Sequence, residues 1–130
     1  MTTKQKGNVS EAKVLAKLVE LGIPVCIPWG DNERYDFVIE KDGFKRVQVK
    51  TATKRDGKLI FNNCSHNGRD GTKVENYIGD VDFFGVYSPH EKKTYLVPIQ
   101  DCAKSSTTMR VSPTKNSQKQ YIRYASDYEL

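Results

Sequence analysis

Cysteine is scarce in this chain, and what there is does not pair. Cys26, Cys64 and Cys102 are odd in number, widely spaced and never arranged as CxxC, which argues against a disulfide framework and against a zinc ribbon. Cys64 and His66 in "NCSHNG" make at most half of a metal site, because no second Cys/His pair follows at finger spacing; a polar loop is the simpler reading. Long apolar runs are also missing, so no membrane partner is expected, and the N-terminal "MTTKQKGNVSEAK" has no apolar core of the kind that marks a secretory signal. The expectation is a cytoplasmic protein. No repeat and no long low-complexity stretch appears. Nor is there an acidic excess: Lys and Arg number 21 against 16 Asp and Glu, and the net charge of +5 favours a polyanionic partner such as nucleic acid. At 130 residues, 1–130 is expected to be one domain with one modest core.

What the chain does contain is hydrophobic periodicity. Between Asn8 and Leu21, Val14, Leu15, Leu18 and Leu21 recur at helical spacing and Gly22 supplies a stop, which predicts a helix. "IPVCIPWGDNER" is too rich in Pro and Gly to continue it and reads as a short strand over Val25 to Ile27 followed by a loop. "YDFVIEKDGFKRVQVKT" is two extended segments around a Lys-Asp-Gly turn, "KLIF" is a further strand, and "VDFFGVY" and "KTYLVPI" flank a turn at "SPHEK". "NNCSHNGRDGTK" reads as an exposed loop, and the segment after Asp101 as mixed, with some helical material. The sum is an α/β or α+β domain built on a mixed sheet flanked by helices.

The first hairpin carries an unusual polar face. With Lys41, Asp42 and Gly43 as its loop and Gly43 in the left-handed region, Glu40 faces Phe44 and Asp36 falls opposite Gln48. Lys50 lies one step further on that face, while Tyr35, Phe37, Ile39, Val47 and Val49 take the other. On the helix, Glu11 falls within about 40° of Leu15 and Leu18, in the middle of the apolar stripe. Two accounts fit it: Asn8 caps the helix and Glu11 completes a capping box, or Glu11 joins Asp36 and Gln48 as oxygen ligands of Mg²⁺. In the second account Lys50 stabilises charge at a phosphate in the transition state or acts on a water held by the cation. A plain Asp36–Lys50 ion pair is the structural alternative for the hairpin.

"YD" ending at Asp36, a strand, a tight turn and "VQVKT" resemble the PD-(D/E)XK nuclease motif, with Tyr35 where Pro is usual and Gln48 where Glu or Asp is usual. "GNVSEAK" is similar to the upstream acidic helix of that superfamily. The wider run "GDNERYDFVIEKDGFKRVQVKT", with "FFGVYSPHEKKTYLVPI", "SPTKNSQK" and "DYEL", resembles the group I intron-encoded homing endonucleases of PD-(D/E)XK type. The resemblance implies a restriction-endonuclease-like core and sequence-specific hydrolysis of double-stranded DNA, with Glu11, Asp36, Gln48 and Lys50 as the catalytic set. Of these, Glu11, Asp36 and Gln48 would hold Mg²⁺, for which Mn²⁺ can substitute. Gln48 offers an amide oxygen but no charge, so the anionic ligands are Glu11 and Asp36.

A nuclease must also grip phosphates, chiefly with Lys and Arg. The exposed segments offer Lys54, Arg55, Arg69, Lys73, Arg110, Lys115, Asn116 and Lys119, mixing cations with an amide able to read bases. Trp29, Tyr77, Tyr87 and Tyr95 are most simply core or half-buried residues, and Asp80 and Asp82 turn carboxylates. One small site cuts one strand, so cleavage of both implies a homo-oligomer, a dimer or tetramer. Two other readings stand beside the homing endonuclease: a Holliday junction resolvase of the same superfamily, and a DNA-binding module whose nuclease site has decayed at Gln48.

Overall fold

A computed structural model of the chain describes residues 1–67, 73–113 and 122–130. The helix α1 runs Thr3–Glu20, five residues earlier than the apolar periodicity alone suggests. Its start is set by polar residues: the Thr2 side chain accepts from the Gln5 N–H while Gln5 reaches back to the Thr2 N–H, a complete capping box. Asn8 therefore lies inside the helix, and the capping account of Glu11 fails. Ser10, Val14 and Leu18 form the buried face.

Ten strands follow in the described residues: β1 Val25–Cys26, β2 Phe37–Glu40, β3 Phe44–Thr51, β4 Thr53–Arg55, β5 Lys58–Asn62, β6 Cys64–Asn67, β7 Lys73–Asn76, β8 Phe83–Ser88, β9 Lys93–Pro98 and β10 Ser106–Arg110. The main sheet has the order β1-β2-β3-β8-β9, with β3 and β8 parallel and every other neighbour antiparallel. A second sheet, β10-β5-β4, continues from the end of β3, and β6 pairs with β7. The mixed sheet with its single described α-helix is the α+β architecture expected. Helical material after Asp101 is limited, among the described residues, to a 3₁₀ turn at Ala125–Asp127. Within the segment read as mixed, "STTMR" forms β10, burying Thr107 and Met109 in alternation as β-branched and long side chains do on a pleated surface. The expected loop from Asn62 to Lys73 carries paired strands at its ends, β6 and β7.

Two apolar layers lie on the two faces of the main sheet. Val14 and Leu18 of α1 pack with Phe37, Ile39, Val47, Val49, Tyr87 and Leu96 on one side. On the other, Phe84, Val86, Tyr95 and Val97 meet Leu59, Phe61, Tyr77 and Met109 of the second sheet and its connections. The last residues cover the β9 edge: Leu96 N–H donates to Tyr128 O and Leu130 N–H to Thr94 O. No helix among the described residues is long and apolar enough to cross a membrane.

Candidate active site

The β2–β3 hairpin forms in the expected register. Glu40 pairs with Phe44 and Phe37 with Val47, around a loop of Lys41, Asp42 and Gly43 in which Asp42 and Gly43 both have positive φ, 54° and 98°. One step beyond Phe37 the ladder changes character. Asp36 N–H donates to Val47 O at 2.8 Å, but the next β3 donor, Val49 N–H, is taken at 2.7 Å by the Asp36 carboxylate. A side-chain oxygen thus stands where a backbone carbonyl of a longer β2 would accept, and the two strands part. Tyr35, ahead of β2, escapes its alternation: it packs against the layer of Phe61, Tyr77 and Phe84, not with Phe37 and Ile39.

Glu11 reaches this point of divergence from α1. It is half-buried, and its carboxyl is hydrogen-bonded to that of Asp36. Burial first, then the hydrogen bond and the negative charge of Asp36, push the Glu11 carboxyl up to about 7. On the other face of β3, Gln48 and Lys50 pair in parallel with Phe84 and Val86. The Gln48 side chain is half-buried and has no hydrogen-bond partner among the described residues. Lys50 makes no ion pair with Asp36, so the purely structural account of the hairpin does not hold. Its ammonium turns instead to Tyr77, 3.3 Å from the hydroxyl and 4.6 Å from the ring centroid.

The donor set suits a hard divalent cation. The Glu11 carboxyl, raised by burial and by Asp36, meets the Asp36 carboxyl, an amide on β3 makes no side-chain hydrogen bond among the described residues, and Lys50 is held by a phenol rather than a carboxylate. Among the described residues no group of three or more Asp, Glu, His or Cys could hold a metal, as expected when the third position of the site is an amide. Cys64 is buried with its thiol on Lys104 O, which removes it from metal chemistry.

The other expected contacts are dispersed. Lys54 and Arg55 lie on β4, and Lys54 pairs with Glu91 at 2.7 Å. Lys73 opens β7. The Arg110 guanidinium donates to Ser112 O and Pro113 O and so clamps its own chain. Arg69, Lys115, Asn116 and Lys119 lie outside the described residues. Asp82 pairs with Arg46, and Asp80 with Arg34 at 2.5 Å. Trp29 is not a core residue: it is fully exposed, at 101%. Tyr77 is buried as expected, but its contact with Lys50 was not foreseen; the only sequence signal is a tyrosine at a core position that a phenylalanine would fill.

A carboxylate where two strands part, a second from the preceding helix, and a Gln-x-Lys on the longer strand together define a class. The chain belongs to the PD-(D/E)XK endonuclease family, whose model matches residues 1–130. By family it is a DNA endonuclease, and such nucleases generally use divalent metals. In three dimensions it is similar to a bacterial homing endonuclease, I-Ssp6803I, with a TM-score of 0.75 at 21% sequence identity over 99% of this chain and 89% of that one. That likeness establishes the fold. No curated protein matches the sequence.

Proposed function

We propose that the chain is a sequence-specific endonuclease of the homing type, hydrolysing phosphodiester bonds of double-stranded DNA with Mg²⁺, or Mn²⁺ in its place. The observation that carries this reading is the Glu11–Asp36 carboxyl pair, held where β2 and β3 part, with Gln48 and Lys50 carried by β3 itself. Glu11, Asp36 and the Gln48 amide oxygen hold the ion. When bound, the ion supplies Lewis-acid stabilisation of charge on the scissile phosphate and a more acidic water. Asp36 is kept in orientation by the Val49 N–H, so its free oxygen is presented without a rotamer search. Lys50 donates to the phosphate as negative charge grows there, in a site whose apolar walls strengthen the interaction.

Lys54, Arg55, Lys73 and Arg110 serve as phosphate contacts, and Arg69, Lys115, Asn116 and Lys119, which lie outside the described residues, are assigned the same role from the sequence. The homing assignment draws on the likeness to I-Ssp6803I, a bacterial homing endonuclease. Hydrolysis leaves 5′-phosphate and 3′-hydroxyl ends, and a double-strand break requires at least two copies acting on the two strands. The test is cleavage of a plasmid library carrying randomised inserts, with Mg²⁺, by the wild type and by Asp36→Ala. Cleavage at a limited set of sequences that is lost in Asp36→Ala is expected. Equal cleavage by both proteins removes Asp36 from the mechanism, and preferential cutting of branched DNA replaces the homing reading with a resolvase.

A further inference from the structure

The Lys50 ammonium is the one catalytic group placed by aromatic side chains. Its Nζ lies 3.3 Å from the Tyr77 hydroxyl, 4.6 Å from the Tyr77 ring centroid and 6.0 Å from that of Phe84. Tyr77 is itself fixed. It is buried, at 6% exposure, and its ring meets Phe84 edge to face at 5.5 Å and 88°. Its carbonyl accepts from the Asp80 and Val81 N–H groups, and the Arg34 guanidinium lies 4.0 Å over its ring. Arg34 in turn bonds Asp80, so the residues on either side of the tyrosine close a frame around it. Packing alone asks only for the ring, whereas the phenol oxygen accepts from the Lys50 ammonium.

We propose that Tyr77 is a positioning residue that holds the Lys50 ammonium at the scissile phosphate. A carboxylate in that role would neutralise the lysine and compete with the substrate. A phenol and two ring faces fix the ammonium while leaving its charge and its remaining N–H donors for phosphate oxygens. The four-carbon stem of lysine is flexible, and a reacting group displaced by an ångström loses rate steeply. The inference rests on the nuclease reading for its catalytic consequence but not for the contact itself, and two measurements keep the two apart.

Tyr77→Phe keeps the ring and deletes only the hydroxyl. In substrate-free protein, reductive methylation followed by mass spectrometry is expected to label Lys50 several-fold faster in Tyr77→Phe than in wild type, with Lys54 as an internal reference unchanged. An unchanged Lys50 rate overturns the positioning role whether or not the protein cleaves DNA. On a plasmid cut by the wild type, Tyr77→Phe is expected to lower kcat about tenfold with KM essentially unchanged and Tm within roughly 3 °C. A wild-type kcat, or a loss that appears in KM or Tm instead, also overturns it. If the wild type cleaves no DNA with Mg²⁺, it is the nuclease reading that fails, and the labelling result stands on its own.

Discussion

Glu11 ties the stability of the proposed site to pH. In the fold its carboxyl titrates at about 7 against an ordinary value of 4.5, because burial and the neighbouring Asp36 disfavour its charge. The folded chain therefore holds this proton more tightly than the unfolded one. The associated stability is complete below about 4.5 and is lost as pH rises through about 7. Metal-free wild type should accordingly lose Tm between pH 5 and 8, and Glu11→Gln, which has no proton to lose, should show a shallower decline, measured by circular dichroism melts in a chelator. A decline equally steep in both proteins would place its origin elsewhere. Mg²⁺ should restore Tm at pH 8 in wild type and much less in Glu11→Gln. At the neighbouring position, Gln48→Glu adds a third anionic ligand and should tighten Mg²⁺ binding about tenfold, read by calorimetric titration. The polar alternation of the hairpin singles out Asp36, Gln48 and Lys50 as candidates in the sequence, although the ladder ends at Phe37 and the Asp36 carboxylate bonds the Val49 N–H. Glu11 was legible from its place on the apolar stripe, although sequence alone left a capping role open that the earlier helix start removes. The Tyr77 contact was not legible, since nothing local distinguishes a tyrosine whose hydroxyl serves a lysine from one that only packs.

At the scale of elements, short-range chemistry carried the reading and long-range pairing limited it. The β2–β3 and β8–β9 hairpins are set by their turns and alternation, so both formed where expected. The first turn of α1 is polar, and only the Thr2–Gln5 pair marks its start. β6 and β7 are short and polar and pair only with each other, while β10 takes its strand geometry from β5, distant in sequence, which local periodicity does not reveal. The packing of α1 on the sheet depends on one such partner. A Cβ added at Gly85, in the middle of β8, would lie 2.9 Å from Val14 Cγ1 and 3.2 Å from Val47 Cγ1. Both neighbours are β-branched and buried and cannot swing aside. Gly85→Ala should therefore destabilise the protein by about 1–3 kcal/mol as an overpacked core, seen as a lower urea midpoint at unchanged slope. Because α1 carries Glu11, the substitution should also weaken Mg²⁺ binding, although Gly85 touches neither carboxyl.

At the scale of the whole molecule, the described residues offer one carboxyl pair, Glu11 with Asp36, while the proposed reaction breaks two strands. The strands of a duplex are antiparallel, so a single site presented with one polarity meets only one of them in the productive direction. A second copy related by a two-fold axis meets the other. The proposed double-strand break therefore calls for assembly, which can be tested without knowing the contact surface. Co-expression of wild type with an excess of Asp36→Ala yields mixed oligomers that contain one competent site for each bound target. On a supercoiled plasmid carrying a cleavable sequence, these should accumulate nicked circles, whereas all-wild-type protein proceeds to linear DNA. The nicked fraction should rise with the proportion of Asp36→Ala subunits. Linear product in undiminished proportion would mean that one copy cuts both strands in turn, and the argument from strand polarity would then have to give way to rebinding or reorientation of a single chain on the duplex.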